Sequence, residues 1–206
     1  MRAYEAVIWD IDGTLLNTME GLSEAYRHCI RELNLPAKRD DELAGFIGPV
    51  PQEIFRREFG LMPDEAQRAT DVFRTWYKEH GLCLAYPYAG VIDTLRQLKY
   101  AGILQAVATN KRQDYAVEIC ELFGITPYCS PILGPNNTST KTKADLIRQC
   151  VRVLSTQKVI MIGDTPGDAQ AAAQAGVDFL GVNYGFGFQE VPGYANTPSD
   201  IIKHIL

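Results

Sequence analysis

The chain has 206 residues, of which 46% are hydrophobic and 22% are charged, proportions that argue against a disordered chain or a coiled coil. Its 25 acidic and 20 basic residues give a net charge of −5, which argues against a general binder of nucleic acids or anionic membranes. No segment approaches the roughly 20 apolar residues of a membrane span, and no signal peptide is evident. The five cysteines form no CxxC pair. We therefore expect a cytoplasmic protein with reduced thiols and without nucleic-acid or membrane partners.

The N-terminal part of the chain begins with a strand and then becomes helical. Ala6 to Trp9 is a short apolar run that stops at Asp10, which is typical of a buried strand. Apolar residues then recur at helical spacing in three segments, 19–33, 43–59 (interrupted at Gly48-Pro49) and 64–80. The sequence therefore predicts an all-helical insertion after the first strand.

From residue 86 onward, predicted strands and helices alternate. The strands are predicted at 103–108, 130–133, 158–162 and 179–182, and the helices at 91–100, 114–123, 143–153, 166–175 and 198–206. Alternation at this spacing indicates βαβ units and a parallel sheet. We therefore predict an α/β fold, with a Rossmann-like, three-layer α/β/α core from residues 1–15 and 86–206 and an all-helical cap domain at 16–85.

Two carboxylates stand at the end of the first predicted strand, and parallel sheets bind ligands at this edge. Side chains two residues apart in an extended chain point the same way, so Asp10 and Asp12 can share one crevice. One carboxylate can then act as a base or nucleophile while the other holds a proton. The alternative is an ordinary turn, because Asp and Gly often follow a strand.

The next strand ends offer groups suited to an anion. Thr109, followed by Asn110, supplies a hydroxyl and a backbone N–H, although such residues also cap helices. Lys141 precedes a helix, where a cation is unfavourable unless an anion lies nearby. Lys143 competes for the same role, and we favour Lys141.

A second pair of carboxylates, Asp164 and Asp168, flanks a predicted helix start that has Pro166 in its first turn. The pair either caps this helix or forms an oxygen site for Mg²⁺, which takes few protein carboxylates. Taken together, the strand ends offer a nucleophile, an acid, anion donors, a cation and metal ligands. These are the groups that phosphoryl transfer needs.

The order of these motifs resembles the haloacid dehalogenase-like phosphatase superfamily and, within it, the phosphoglycolate phosphatases. Four segments carry the resemblance, namely Asp10 to Thr14, Val107 to Asn110, Lys141, and Gly163 to Asp168. It implies an Mg²⁺-dependent phosphatase of small phosphate esters, a monomer or homodimer with 2-phosphoglycolate as the favoured substrate. The alternatives are an inorganic pyrophosphatase, a nucleotidase or a sugar-phosphate phosphatase of the same superfamily, or a non-catalytic binding module.

The resemblance also implies residue roles. Asp10 attacks phosphorus and forms an aspartyl-phosphate, and Asp12 protonates the leaving oxygen and then activates water. The phosphoryl oxygens are held by Thr109, Lys141 and the backbone N–H groups of Ile11, Asp12 and Asn110. Gly48, in the cap loop, binds the substrate. The Mg²⁺ site is formed by Asp10, the carbonyl of Asp12, Asp164 and Asp168. Asp168 ligates the metal directly, holds its waters or holds Lys141.

Overall fold

The computed structural model describes residues 3–136 and 141–206. The chain divides into two compact units. The core unit consists of Met1–Asn17 together with Pro87–Leu206, and the helical unit consists of Thr18–Tyr86. The core unit therefore contains two segments that are remote in sequence.

The core unit is built on a parallel five-stranded sheet. The strands of the chain are β1 (Ala6–Trp9), β2 (Leu16–Asn17), β3 (Tyr86–Pro87), β4 (Leu104–Ala108), β5 (Ile132–Leu133), β6 (Val159–Gly163) and β7 (Asp178–Gly181). The sheet has the order β5-β4-β1-β6-β7, and β2 pairs with β3 separately. Trp9, the last residue of β1, is in register with Val107 on β4 and Ile162 on β6. The residues that follow these three strands consequently share one edge of the sheet, where the strand order reverses.

Helices follow most of the strands and also make up the helical unit. The helical unit contains α1 (Met19–Glu32), α2 (Asp40–Ala44), α3 (Pro51–Phe59) and α4 (Pro63–Trp76), followed by a π turn (Tyr77–Gly81) and a 3-10 turn (Leu82–Leu84). The core unit contains α5 (Val91–Tyr100), α6 (Gln113–Leu122), α7 (Lys143–Leu154), α8 (Pro166–Ala175) and α9 (Pro198–Ile205). The predicted α/β fold with a parallel sheet is confirmed.

The two faces of the sheet pack against different helices. Ile8 belongs to a hydrophobic cluster with Ile147 of α7 and Ala172 of α8. Trp9 points to the opposite face, because neighbouring residues of a strand alternate. There its indole N–H donates to the side chain of Gln105 at 3.2 Å, and Gln105 in turn donates to a main-chain carbonyl of α5. The layered arrangement buries β1 completely and fixes the position of its carboxyl end.

Several predicted elements differ in their extent from those of the structure. The predicted strand at 130–133 is shortened to Ile132–Leu133 because Pro131 has no N–H to donate to a ladder. The predicted helix at 64–80 leaves α-helical geometry after Trp76 and continues as the π turn. None of the helices in the described ranges has both the length and the apolar character that a bilayer crossing requires. All five cysteines are free thiols.

Candidate active site

Three buried aspartates meet at the carboxyl ends of β1 and β6, and we call them the acidic cluster. Asp10 directly follows β1, Asp164 directly follows β6, and Asp168 lies in the first turn of α8. One carboxylate oxygen from each residue lies within 4.8 Å of the others. Their exposed fractions are 6%, 0% and 2%, respectively. The parallel pairing of β1 with β6 brings these side chains together from segments more than 150 residues apart.

Lys143 supplies a buried positive charge to the acidic cluster. Its Nζ donates to Asp10 Oδ1 at 2.6 Å and also to Asp168 Oδ1. Burial by itself lowers the pKa of Lys143, but the carboxylates of Asp10 and Asp168 raise this pKa above its ordinary value. The ammonium group therefore stays charged at neutral pH and offsets part of the negative charge of the cluster.

The lysine that the structure brings to the acidic cluster is Lys143, the candidate that the sequence analysis ranked second to Lys141. Thr142 is the N-cap of α7, and its hydroxyl accepts the N–H of Asp145 at 3.2 Å while Asp145 accepts the N–H of Thr142 at 2.9 Å. This reciprocal cap starts the helix at Lys143. Lys141 lies before the cap, and its exposed amino group donates to Gln149 at 2.9 Å.

The sequence did contain a signal that favours Lys143. In a helix, residues three, four, seven and eleven positions apart lie on one face. Lys143 shares its face with Ile147, Cys150 and Leu154, all of which are buried against the sheet. A lysine at the N-terminal end of an apolar stripe is carried towards the sheet, whereas one before the N-cap is not.

Asp164 is held by two hydrogen bonds, one on each carboxylate oxygen. Its Oδ1 accepts the hydroxyl of Thr14 at 3.3 Å, and its Oδ2 accepts the backbone N–H of Phe186 at 2.7 Å. Tyr184, in the same loop as Phe186, donates its hydroxyl to the carbonyl of Thr14 at 3.1 Å. Gly13 has φ +82°, and a Cβ at this position would lie 2.1 Å from Asp164 Oδ2, so a side chain there would displace the carboxylate.

Asp168 both caps α8 and holds Lys143. Its Oδ2 accepts the backbone N–H of Thr165 at 3.0 Å and the hydroxyl of Thr165 at 2.7 Å, which completes the N-terminal cap of α8. Its Oδ1 accepts Lys143. Both oxygens thus have partners within the chain, and Asp168 orients the ammonium group of Lys143 towards Asp10.

The acidic cluster has the charge and the donor atoms that suit a divalent cation. Burial raises the pKa of Asp10 to about 8, and the nearby carboxylates of Asp168, Asp12 and Asp164 act in the same direction while Lys143 opposes them. Burial also raises the pKa of Asp164 to about 6, against the opposing hydrogen bond from the backbone of Phe186. When all three carboxylates are ionised, they and the ammonium group carry a net charge of −2, and the raised pKa values of Asp10 and Asp164 show that this charge is unfavourable without a cation. Carboxylate oxygens are ligands that Mg²⁺ prefers. The residues therefore fit the predicted metal.

A second buried ion pair lies at the same edge of the sheet and was missed by sequence reasoning. Lys111 Nζ lies 3.0 Å from Asp12 Oδ1, and the two side chains are 4% and 14% exposed. Lys111 comes three residues after the end of β4, and β4 is the strand next to β1. The position of Lys111 just past a central strand was the one feature of the sequence that could have identified it, because polar residues at the carboxyl ends of such strands lie near the edge of the sheet where ligands bind.

The remaining predicted residues differ in their surroundings. Thr109 is buried, and its hydroxyl accepts the backbone N–H of Lys111 at 3.1 Å. Ile11 is also buried, whereas Asn110 is exposed. Gly48 belongs to the helical unit, between α2 and α3, and has φ +108°. The predicted contacts of these four residues with a substrate stay predictions.

Comparison with known proteins identifies the class to which this fold and site belong. A family model described as haloacid dehalogenase-like hydrolase matches residues 7–182. A crystal structure of a predicted phosphatase from Clostridium acetobutylicum superimposes with a TM-score of 0.90 and 27% identity, covering 97% of each chain. The chain therefore belongs to the haloacid dehalogenase-like hydrolase family, as the motifs predicted.

Two curated relatives show different activities within this family. Phosphoglycolate phosphatase of Agrobacterium fabrum is 32% identical over 203 residues, which cover 95% of this chain and 86% of the relative. Tyrosine-protein kinase PtkA of Mycobacterium tuberculosis is 29% identical over 186 residues, and the match covers 89% of this chain but 63% of the kinase. The chain is thus similar to a phosphatase over most of that relative's length and to a tyrosine kinase over less than two thirds of that relative's length.

Proposed function

We propose that this chain is an Mg²⁺-dependent phosphatase of small metabolites that works through an aspartyl-phosphate on Asp10, with 2-phosphoglycolate as its favoured substrate. The observation that carries the proposal is the buried contact between Asp10 and Lys143 inside the acidic cluster. The similarity to a phosphoglycolate phosphatase supports the choice of substrate. The acidic net charge supports an enzyme that does not bind nucleic acid or membranes. The proposal includes a cytoplasmic location and a monomeric or homodimeric state.

In the first half of the proposed reaction, a carboxylate oxygen of Asp10 attacks phosphorus and the bond from phosphorus to the ester oxygen breaks. Asp12, two residues along the chain, donates its proton to that departing oxygen, so an alcohol leaves. Lys143 is held 2.6 Å from Asp10 Oδ1, where its charge opposes the negative charge brought by the phosphoryl group.

In the second half, a water molecule attacks the phosphorus of the aspartyl-phosphate. Asp12, now ionised, takes the proton of this water, and the bond between phosphorus and Asp10 breaks. Inorganic phosphate leaves, Asp10 is again a carboxylate, and Asp12 is again protonated. The covalent intermediate divides one slow hydrolysis into two easier steps.

Asp10, Asp164 and the main-chain carbonyl of Asp12 are the groups that would hold Mg²⁺. When bound, this ion neutralises negative charge on the phosphoryl oxygens and polarises phosphorus as a Lewis acid. Asp168 acts on Lys143 and on the start of α8, since both of its oxygens accept hydrogen bonds from the chain. The role of the helical unit as a substrate cap stays a prediction.

The experiment that tests the proposal measures phosphate release from a panel of substrates with Mg²⁺ and with a chelator. The wild type should release phosphate from 2-phosphoglycolate faster than from pyrophosphate, nucleotides or sugar phosphates, and only with Mg²⁺. Asp10→Asn should lower turnover at least about 1,000-fold, since the nucleophile is removed. Asp71→Asn, which changes an exposed aspartate on α4, is the matched control and should keep wild-type turnover. Undiminished turnover by Asp10→Asn would reject the mechanism.

A second candidate function is phosphoryl transfer to a protein tyrosine, and it is favoured by the similarity to PtkA. It shares the phosphorylated aspartate with the first candidate but replaces water by a tyrosine hydroxyl. Incubation with labelled ATP and a tyrosine-containing peptide separates the two. Labelled peptide without phosphate release from the ester panel would favour the kinase, and neither activity would favour a binding module.

A further inference from the structure

Lys111 carries a second buried ammonium group, distinct from that of Lys143. Lys143 and Lys111 are ion-paired with different carboxylates, Asp10 and Asp12 respectively. In the proposed reaction Asp10 faces the phosphoryl group, whereas Asp12 faces the departing ester oxygen. Lys111 therefore stands on the leaving-group side of the site.

The main chain around Lys111 is fixed by its neighbours. The N–H of Lys111 donates to the hydroxyl of Thr109 at 3.1 Å. Its carbonyl packs against Gly134, where a Cβ would come within 2.2 Å of the carbonyl oxygen. Gln113 ties the same two segments together, because its side chain accepts the N–H of Gly134 at 2.7 Å and donates to the carbonyl of Ile132 at 3.0 Å. The ammonium group is thus presented from a rigid support, as a binding residue requires.

The distances place this ammonium group near any charge carried by a small leaving group. Lys111 Nζ is 3.0 Å from Asp12 Oδ1, and Asp12 must come within about 3 Å of the ester oxygen to protonate it. The ammonium group is therefore within about 6 Å of that oxygen when Oδ1 protonates it, and within about 8 Å when Oδ2 does. In 2-phosphoglycolate a single methylene group joins the ester oxygen to the carboxylate, so the carboxylate lies about two bonds of ~1.5 Å from it.

We propose that Lys111 binds a carboxylate that stands one carbon away from the ester oxygen, and so selects phosphate esters of 2-hydroxy acids. This inference rests on the proposed phosphatase function and names the substrate group that the site recognises. A buried lysine and a substrate carboxylate form a charge-assisted hydrogen bond, which is stronger than a neutral one. The phosphate ester of a neutral alcohol cannot form this hydrogen bond with Lys111.

The test compares 2-phosphoglycolate with its neutral amide, 2-phosphoglycolamide, which has nearly the same shape but no carboxylate. The measured quantity is the ratio of kcat/KM for the acid to kcat/KM for the amide, with Mg²⁺ present. The wild type should favour the acid at least about tenfold, and Lys111→Met should abolish most of that preference, chiefly through a higher KM for the acid. Lys111→Arg should keep part of the preference because it keeps the charge.

Lys141→Met is the matched control, because it removes an exposed lysine of the core unit whose amino group donates to Gln149, and it should leave the ratio unchanged. An equal loss on acid and amide in Lys111→Met would show that Lys111 acts only through Asp12, and it would overturn the assignment. If Lys111→Met does not fold, the wild-type preference and Lys111→Arg still decide the question. Equal wild-type turnover of both esters would refute the role of Lys111 while leaving the phosphatase function intact. Turnover of neither would refute the function, and the assignment with it.

Discussion

Replacing Asp164 by asparagine should stabilise the metal-free protein at alkaline pH. The side chain of Asp164 is fully buried, and burial raises its pKa from 3.8 to about 6. Asparagine has the same shape, carries no charge and can keep both hydrogen bonds. Its amide oxygen can accept the N–H of Phe186, and its amide nitrogen can donate to the hydroxyl of Thr14.

The raised pKa of Asp164 determines both the direction and the magnitude of the change in unfolding free energy. The folded chain binds this proton more tightly than the unfolded chain, so the wild type loses stability as the pH rises from about 4 to about 6. A shift of about two pKa units corresponds to about 3 kcal/mol of unfolding free energy. In a chelator, Asp164→Asn should therefore be more stable than the wild type at pH 8 by up to about 3 kcal/mol and similar to it near pH 4.

Urea unfolding followed by circular dichroism at pH 4.5 and pH 8, in a chelator, measures these differences. Mg²⁺ should then raise the melting temperature of the wild type at pH 8 more than that of Asp164→Asn, because the variant lacks one ligand charge. Asp71→Asn, on the surface of α4, controls for the loss of one negative charge. The reasoning is refuted if Asp164→Asn is destabilised equally at both pH values, or if Mg²⁺ stabilises it as much as the wild type.

The remaining predictions concern the site lysine, the loop that supports the metal ligand, and the acid. Lys143→Met should lower phosphatase kcat/KM at least about 100-fold, whereas Lys141→Met should change it less than about threefold, and steady-state assays of the pair check this. Tyr184→Phe removes the hydrogen bond to the carbonyl of Thr14 and should weaken Mg²⁺ binding, measured by calorimetry, by about tenfold. An unchanged affinity would show that this bond does not position the ligands. Asp12→Asn should slow alkyl phosphates more than nitrophenyl phosphate, because a good leaving group needs less protonation. Equal losses on both would remove Asp12 from the acid role.

Local sequence patterns were sufficient for the architecture and for the acidic residues. The apolar run of β1 ends at Asp10, and the run of β6 ends just before Asp164, so each carboxylate could be placed at the end of a strand from periodicity alone. Parallel strands bring their carboxyl ends to one edge, and the α/β alternation therefore predicted that these residues meet. These inferences succeed because strand ends and helix caps depend on neighbours within a few residues.

The tertiary structure decided which basic groups lie next to the acidic residues of the site. Lys141 and Lys143 are two residues apart, and only the start of α7 at the cap of Thr142 determines which one turns towards the sheet. Lys111 reaches Asp12 because β4 lies beside β1, and Phe186 reaches Asp164 across 22 residues of chain. Such contacts depend on the direction of side chains in three dimensions. For Lys111 and Phe186 the sequence determines that direction only through the packing of the whole unit, whereas for Lys143 the cap at Thr142 and the apolar stripe of α7 were local signals.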